Sequence, residues 1–412
     1  MATIKPFGAL RPKADIAHRV AALPYDVYDR REALTEIEKE PLSFLRIDRA
    51  ETAFPEDVSP YDPKVYRQAK AYLDQMRDEG LFIKEASACY YLYELTMDGR
   101  SQTGIVGCAA IDDYLNNIIK KHENTREDKE QDRIQHVDIC NAQTGPIFLA
   151  YRAQRRLDEI AVEVKQNVPL YDFIAPDGVK HVVWRIDRED YIAGIAQSFA
   201  NIQSIYIADG HHRAASAVKV GLQRRQAKPN YTGNEEFNYF LAVLFPDNQL
   251  KILDYNRVVK DLNGYSSEEF LQEVAKKFLL EPVGKTAYRP EAKATFGMYL
   301  DGIWYKLTAK KEILSSDPVD GLDVSLLQNH LLAPILNITD PRRDERIDFV
   351  GGIRGLKELE RRVNSDMKIA FSLYPTSLAE LFAVADANRL MPPKSTWFEP
   401  KLRSGLLIHE LE

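Results

Sequence analysis

Three Asp-Gly pairs constrain the fold of this chain more than any other feature of its sequence. The pairs Asp98-Gly99, Asp177-Gly178 and Asp301-Gly302 each separate two runs rich in β-branched and aromatic residues. Such a pair favours a tight turn between antiparallel strands, because these turns need positive φ. Helical patterns lie between the hairpins without a regular alternation of strand and helix, which predicts an α+β fold.

Apolar spacing and turn residues indicate how the chain is organised. Helical periodicity predicts helices at about 63–80, 187–202, 265–279, 322–335 and 376–389. The polar stretch 226–234 suggests a boundary, followed by the β-favouring runs 240–245 and 250–253. We therefore expect three regions: an N-terminal α+β region (1–100), a core (101–228) and a C-terminal α+β region (229–412).

The composition is that of an ordinary globular protein. Of the 412 residues, 45% are hydrophobic and 28% are charged, and the formal net charge of -7 provides no general attraction for nucleic acid. Cys89, Cys108 and Cys140 are unclustered and odd in number, which fits a reducing compartment. Neither a secretory signal nor a run of about 20 apolar residues is found. We expect a cytoplasmic protein that has no membrane contact.

The segment Asp209-Gly210-His211-His212-Arg213 carries the strongest chemical signal. It follows the β-favouring run 204–208 and opens the helix-favouring run 213–220. The first amides of a helix attract anions, and a glycine lets the backbone approach a ligand. The segment has three interpretations: a phosphate or nucleotide site, a structural turn, or a zinc site. Adjacent histidines point about 100° apart on a helix, which argues against shared zinc ligation.

Asp209 also has two interpretations. Its carboxylate can cap the helix that follows, or it can hold a magnesium ion that accompanies a nucleotide. The sequence does not separate these roles.

A charged segment at 120–133 is the second candidate. Thr125 and Asp128 have the spacing of a capping box, which predicts a helix starting at Thr125 and leaves His122 and Glu123 in the preceding loop. Most charges of the segment are typical of a solvated helix face. Glu123 stands apart, because it precedes the helix and is followed by the turn-to-strand element 144–148.

Weaker signals lie elsewhere. The segments 11–12 and 24–27 are expected to be turns with either a structural or a functional role. The charged stretch 341–349 is expected to form exposed ion pairs or to clamp an anion. The loop 391–397 has the composition of a polar site. No phosphate-binding P-loop, dinucleotide-binding glycine motif or nucleophile elbow is present. The common nucleotide-binding and hydrolase folds are therefore not supported.

Taken together, these motifs resemble those of the bacterial and archaeal family DUF1015 over nearly the full length of the chain. Within it, the order His-Glu, charged helix, Pro-Ile-Phe strand and Asp-Gly-His-His-Arg turn is similar to the ParB/sulfiredoxin-like fold, which includes free-serine kinases. The resemblance rests on the segments 11–12, 24–27, 103–107, 121–125, 132–133, 144–146, 208–213 and 394–396.

The resemblance implies a ParB/sulfiredoxin-like core in which Glu123 is the catalytic base and the turn from Asp209 to Arg213 holds the nucleotide phosphates. His122, Arg126 and Thr144 are further candidates for substrate contact, and Asp209 is the candidate magnesium ligand. A link to serine metabolism is also implied.

The resulting hypothesis is a phosphotransferase that converts free L-serine to O-phosphoserine, or runs in reverse. Mg²⁺ with ATP, ADP or pyrophosphate would supply the phosphoryl group. The alternatives are a ParB-like nucleotide-binding switch or DNA-partition protein without kinase activity, and a scaffold in which the turn is only structural. A DNA-reading helical module with a basic face is not evident in the sequence.

Overall fold

Runs of β-branched and aromatic residues form strands and amphipathic runs form helices in the computed structural model, which describes residues 1–412. The strands are β1 (Ile4–Lys5), β2 (Leu10–Pro12), β3 (Phe82–Lys84), β4 (Tyr90–Met97), β5 (Arg100–Ala110), β6 (Ile119–Lys120), β7 (Ala142–Gln143), β8 (Ile147–Tyr151), β9 (Tyr171–Ile174), β10 (Lys180–Ile186), β11 (Ile205–Asp209), β12 (Tyr239–Pro246), β13 (Ile252–Leu253), β14 (Tyr255–Val259), β15 (Phe278–Gly284), β16 (Thr295–Leu300), β17 (Ile303–Ala309), β18 (Ile347–Gly351), β19 (Ile369–Leu373), β20 (Trp397–Phe398) and β21 (His409–Glu410). The α-helices are α1 (Ala17–Val20), α2 (Arg30–Lys39), α3 (Leu45–Asp48), α4 (Pro63–Asp78), α5 (Ile111–Leu115), α6 (Glu127–Cys140), α7 (Arg155–Val164), α8 (Glu189–Ala200), α9 (His211–Ala227), α10 (Ser267–Ala275), α11 (Asp323–Leu327), α12 (Leu356–Val363) and α13 (Leu378–Asp386).

The chain forms two units. The first comprises Met1–Lys121, Thr125–Leu250 and Pro400–Glu412, and the second comprises His122–Asn124 and Lys251–Glu399. Each unit is therefore assembled from segments that are distant in the sequence.

This division differs from the three regions expected from the sequence, 1–100, 101–228 and 229–412. Strand β1 pairs with β5, and β12 pairs with both β5 and β8, so all of these strands belong to one sheet. The run 240–245, expected to open a second sheet, is instead a buried inner strand of the first sheet. Its continuous apolar sequence reflects burial on both faces.

The first unit is built on a nine-stranded mixed sheet. Its strands lie in the order β6-β11-β8-β12-β5-β4-β10-β9, and β1 adds to β5. Only the pairs β6/β11 and β8/β12 are parallel; all the others are antiparallel. Helices pack against this sheet and bury apolar side chains such as Ile160, Ile195 and Phe199. Because β11 and β8 are antiparallel, this arrangement brings the end of β11 beside the start of β8.

All three predicted hairpins are confirmed. Asp98-Gly99 joins β4 to β5, Asp177-Gly178 lies between β9 and β10, and Asp301-Gly302 joins β16 to β17. Both residues of the first and third pairs have positive φ, whereas in the second pair only the glycine does.

The second unit contains a six-stranded antiparallel sheet in the order β15-β17-β16-β19-β14-β18, together with the short pair β13/β20. Its core includes Val258, Trp304 and Leu359. Helices α10 and α13 begin at capping boxes, in which the Ser266 and Ser377 side chains accept hydrogen bonds from the third helical amide.

The predicted helices are largely confirmed by α4, α8, α10 and α13, which lie within the expected ranges. In the range 322–335, α11 is short and passes into one π-helical turn, Gln328–Leu332. The mixture of helices and mainly antiparallel sheets fits the expected α+β class, while a ParB/sulfiredoxin-like core stays a prediction. None of the helices has the length and hydropathy needed to cross a bilayer.

Candidate functional site

The Asp-Gly-His-His-Arg segment forms the predicted strand-to-helix turn. Strand β11 ends at Asp209, and α9 begins at His211, with Gly210 between them at φ 93° and ψ 32°. The first intrahelical hydrogen bond runs from the Ala214 amide to the Gly210 carbonyl, at 2.9 Å. The amides before it have no acceptor inside the helix, so the turn presents the positive end of a 17-residue helix.

Asp209 is fixed by two hydrogen bonds, one to each carboxylate oxygen. The Gly210 amide donates to Oδ1 at 2.8 Å, and Lys401 Nζ donates to Oδ2 at 3.0 Å. Burial opposes ionisation, but Lys401 and then Arg213 outweigh it and hold the pKa of Asp209 well below its usual range. Asp209 is therefore an ionised, ion-paired carboxylate.

An ionised carboxylate suits magnesium, which prefers oxygen ligands. A metal ion at Asp209 would compete with Lys401 for Oδ2. Sequence patterns did not indicate Lys401 as a partner of Asp209, because the two residues lie 192 positions apart along the chain.

Arg213 connects the turn to the residue that precedes β8. Its Nη1 donates to the Pro146 carbonyl at 2.6 Å. A Cβ atom at Gly210 would lie 3.1 Å from both Nε and Nη2 of Arg213, so the guanidinium lies close against the turn. The missing side chain of Gly210 therefore allows both the left-handed backbone and the position of the arginine.

His212 is oriented by the main chain at the start of α6. The Arg126 amide donates to His212 Nε2 at 3.0 Å. Because Nε2 accepts this hydrogen bond, the proton of the neutral imidazole resides on Nδ1. His212 therefore presents Nδ1–H as its donor.

The Arg126 side chain, predicted to contact substrate, pairs instead with Asp128, at 2.9 Å between Nη2 and Oδ2. This pair is exposed. Arg126 thus reaches the turn through its backbone amide.

The predicted capping box at Thr125 is wrong. Helix α6 begins at Glu127, with Arg126 at the N-cap position and no side-chain cap. The Thr125 hydroxyl donates instead to the Glu130 carboxylate, and Asp128 is held by Arg126. Both members of the expected box have partners that the local spacing did not indicate.

His122 and Glu123 group with the second unit. Within that unit, the Met391 amide donates to the His122 carbonyl at 2.8 Å, and Thr396 Oγ1 lies 3.4 Å from His122 Nε2. His122 is buried and Glu123 is half-buried. The loop 391–397 therefore holds His122.

Thr144, another predicted substrate contact, is buried just before β8. Its hydroxyl donates to Asp48 Oδ1 at 2.8 Å. Asp48 was not singled out by the sequence, since a lone aspartate between Ile47 and Arg49 carries no motif.

The remaining sequence signals have pairing partners of their own. Arg11 forms an ion pair with Glu85, at 2.6 Å. The expected turn at 11–12 is instead part of strand β2. In the stretch 341–349, Arg342 pairs with Asp340, and Arg346 forms a half-buried pair with Asp344. These ion pairs are what the simpler interpretation of the stretch 341–349 predicts.

Residues 4–325 match a family model described as a protein of unknown function, DUF1015. The chain belongs to the DUF1015 family. No curated protein is significantly similar to it in sequence.

Several solved structures resemble this DUF1015 protein. A mutant free serine kinase in complex with AMP is 12% identical, with a TM-score of 0.37, covering 72% of this chain and 87% of that chain. SbnI with a C-terminal truncation, from Staphylococcus aureus, is 13% identical, with a TM-score of 0.39 and coverages of 71% and 82%. A conserved hypothetical protein from Pyrococcus furiosus is 13% identical, with a TM-score of 0.35 and coverages of 73% and 93%. Because the family is described as being of unknown function, the activity has to be inferred from the residues of the site.

Proposed function

We propose that this protein is a phosphotransferase that phosphorylates the hydroxyl group of a small molecule, with free L-serine as the first candidate acceptor. One observation carries the proposal: the Arg213 guanidinium lies against Gly210 at the start of α9, where helix amides and a cation converge. Phosphoryl transfer depends mainly on positioning and on stabilising charge, and this turn offers both.

The turn would hold the terminal phosphate of the donor. Arg213 supplies a planar cation suited to two phosphate oxygens, the amides of the first turn of α9 supply fixed dipoles, and His212 supplies Nδ1–H. His211, which is buried at the first position of α9, is the remaining donor of the segment. Asp209 keeps Lys401 at the edge of the turn, which adds a second cation.

Glu123 is the proposed base. The serine Oγ forms a bond to the terminal phosphorus of the donor while the bond from that phosphorus to the bridging oxygen breaks. The Oγ proton passes to the Glu123 carboxylate, and the leaving group keeps the bridging oxygen with its electron pair. This role is assigned from the order of the motifs, and His122, Arg126 and Thr144 remain candidate acceptor contacts.

A magnesium ion bound with the donor would neutralise phosphate charge. Asp209 is the proposed ligand because its carboxylate is ionised at neutral pH. ATP, ADP and pyrophosphate all present a terminal phosphate that suits this turn.

Phosphorus NMR tests the activity. Purified protein is incubated with L-serine, magnesium and each of the three donors, and in parallel with phosphoserine and each spent donor. We expect a phosphoserine resonance with one donor at least. If no donor yields phosphoserine and phosphoserine is never consumed, the kinase proposal is wrong.

The base is tested separately with Glu123→Gln. This variant should lose at least about 100-fold in turnover, in line with the usual contribution of a positioned base, while binding nucleotide normally. Glu127→Gln, on the exposed first turn of α6, is the matched control and should retain activity. Near-normal turnover of Glu123→Gln would remove Glu123 from the mechanism and leave the phosphate site standing.

A further inference from the structure

A cavity lies within the first unit, next to Arg213. Its volume is about 30 Å³, roughly two to three times the space in which one water molecule fits. Most of its wall is apolar, and its polar lining residues include Asp48, Arg133, His136, Thr144, Arg213 and Ser404. The wall thus places two arginines beside a carboxylate, an imidazole and hydroxyl groups.

Arg133 contributes a buried cation to this wall. Its side chain stacks on the Tyr25 ring, 4.0 Å from guanidinium carbon to ring centroid, and the residue is only 8% exposed. Asp132 accepts from Nε at 3.0 Å and from Nη2 at 2.8 Å. Burial opposes the charge, but Asp132 and Tyr25 raise the pKa of Arg133 above its usual value, so it stays charged.

Ser404 contributes a buried hydroxyl. Its main chain pairs with Ala22 in both directions, at 3.2 Å and 2.8 Å, which fixes the backbone. The residue is 3% exposed. Ser404 and Arg133 both line the cavity, so a hydroxyl and a cation are within reach of a ligand that enters it.

Asp48 and His136 supply hydrogen-bond acceptors to the cavity wall. Asp48 Oδ1 accepts from the Thr144 hydroxyl at 2.8 Å, and Asp48 lines the cavity. His136 Nε2 donates to the Ile47 carbonyl at 3.1 Å, so its Nδ1 is an acceptor. Burial, followed by the nearby Arg133, lowers the pKa of His136, which keeps the ring neutral.

We propose that this cavity binds the amino-carboxylate head group of a small amino acid. The ligand carboxylate would accept from Arg133 Nη1 and the Ser404 hydroxyl. The ligand ammonium would donate to Asp48 Oδ2 and to His136 Nδ1. Asp48 and Asp132 already balance the charges of the two arginines, so a ligand that carries both signs fits better than a simple anion or cation.

Gly145 keeps the cavity open. A Cβ atom at this position would lie 2.8 Å from Ser404 Oγ and 3.5 Å from Arg213 Nη1. Its φ is not positive, so alanine is compatible with the backbone. The same guanidinium of Arg213 therefore borders the proposed head-group site on one side and the phosphate turn on the other. The assignment of this cavity as the site of the phosphoryl acceptor rests on the proposed function. The proposal that the cavity binds an amino acid does not.

Calorimetry with the full-length protein tests the head group. L-serine is compared with ethanolamine, which lacks the carboxylate, and with glycerate, which has a hydroxyl in place of the ammonium. We expect L-serine to bind, and each analogue to bind at least about tenfold more weakly because one charged contact is lost. Equal affinity for all three compounds, or no heat with any of them, would show that the cavity holds only solvent and would overturn the inference.

Two variants locate the binding in the cavity. Gly145→Ala and Ser404→Ala should each weaken L-serine binding by about tenfold or more. Ser198→Ala, in which a partly buried hydroxyl on α8 is removed, is the matched control and should bind normally. Normal binding by Gly145→Ala with an unchanged melting temperature would exclude this cavity. If serine binds here and no phosphoserine forms with any donor, the kinase proposal fails and the binding site remains.

Discussion

Replacing Gly210 by alanine separates the structural and the functional roles of the turn. An L-residue in the left-handed region costs about 1–2 kcal/mol, and Gly210 has φ 93°. The new Cβ would also lie 3.1 Å from the Arg213 guanidinium, which would have to move. Loss of one charge-assisted contact to phosphate costs about 1.5–3 kcal/mol, or roughly 10-fold to 100-fold in affinity.

Gly178→Ala is the matched control. Gly178 lies in a hairpin of the same unit with φ 80°, and a Cβ atom there would meet nothing within 4 Å. Both variants should therefore lose about 1–2 kcal/mol in urea unfolding because of backbone strain, and Gly210→Ala should lose more because Arg213 has to move. Only Gly210→Ala should bind ATP, ADP or pyrophosphate more weakly in calorimetry. Equal donor affinities in the two variants would refute the role assigned to the turn.

Three further predictions concern charge and burial. The pKa of Asp209 is depressed in the folded state, so its contribution to stability is present above the unfolded pKa and is lost as pH falls. Lys401→Ala should raise the folded-state pKa of Asp209. Acid unfolding of this variant, followed by circular dichroism, should therefore occur at higher pH. Burial raises the pKa of Asp323 to about 7, so the free energy of unfolding falls by up to about 4 kcal/mol as pH rises from about 4 to about 7. In Asp323→Asn, urea unfolding of the second unit should no longer show this fall. Burial also raises the pKa of Cys89 to about 11 and of Cys140 to about 12, so a thiol reagent at pH 8 should label both only after unfolding. An unshifted acid midpoint of Lys401→Ala would contradict the first expectation, and an unchanged pH dependence of stability in Asp323→Asn the second. Rapid labelling of Cys89 or Cys140 in the folded protein would contradict the third.

Local patterns predicted the elements that are determined by local chemistry. The Asp-Gly hairpins are set by turn residues, and α4 begins at Pro63 after an Asp62 cap, as a proline at the first helical position favours. The turn at Gly210 was recognised for the same reason, because a strand, a glycine and a helix lie next to one another in the sequence.

Pairing between distant segments was not predictable in this way. The apolar run in β12 is equally compatible with an edge of a new sheet and with an inner strand of an existing one, and only its pairing with β5 and β8 decides. The Thr125 side chain had two possible partners at similar spacing, a helix amide that would donate to it and the Glu130 carboxylate that accepts from it, and Glu130 is the partner it has. Lys401 reaches Asp209 because Pro400–Glu412 belongs to the first unit, which nothing in that segment indicates.

Arg213 explains why the turn and the cavity have to be considered together. Its guanidinium is held by the Pro146 carbonyl and lies close to two glycines, Gly210 on the phosphate side and Gly145 on the cavity side. A lysine would carry the same charge but would lack the planar fork that can serve both sides at once. A donor phosphate and the head group of an amino acid would therefore be held on either side of one cation, which leaves the side-chain hydroxyl to reach the phosphorus. Fixing both reactants before the reaction begins lowers the barrier to phosphoryl transfer.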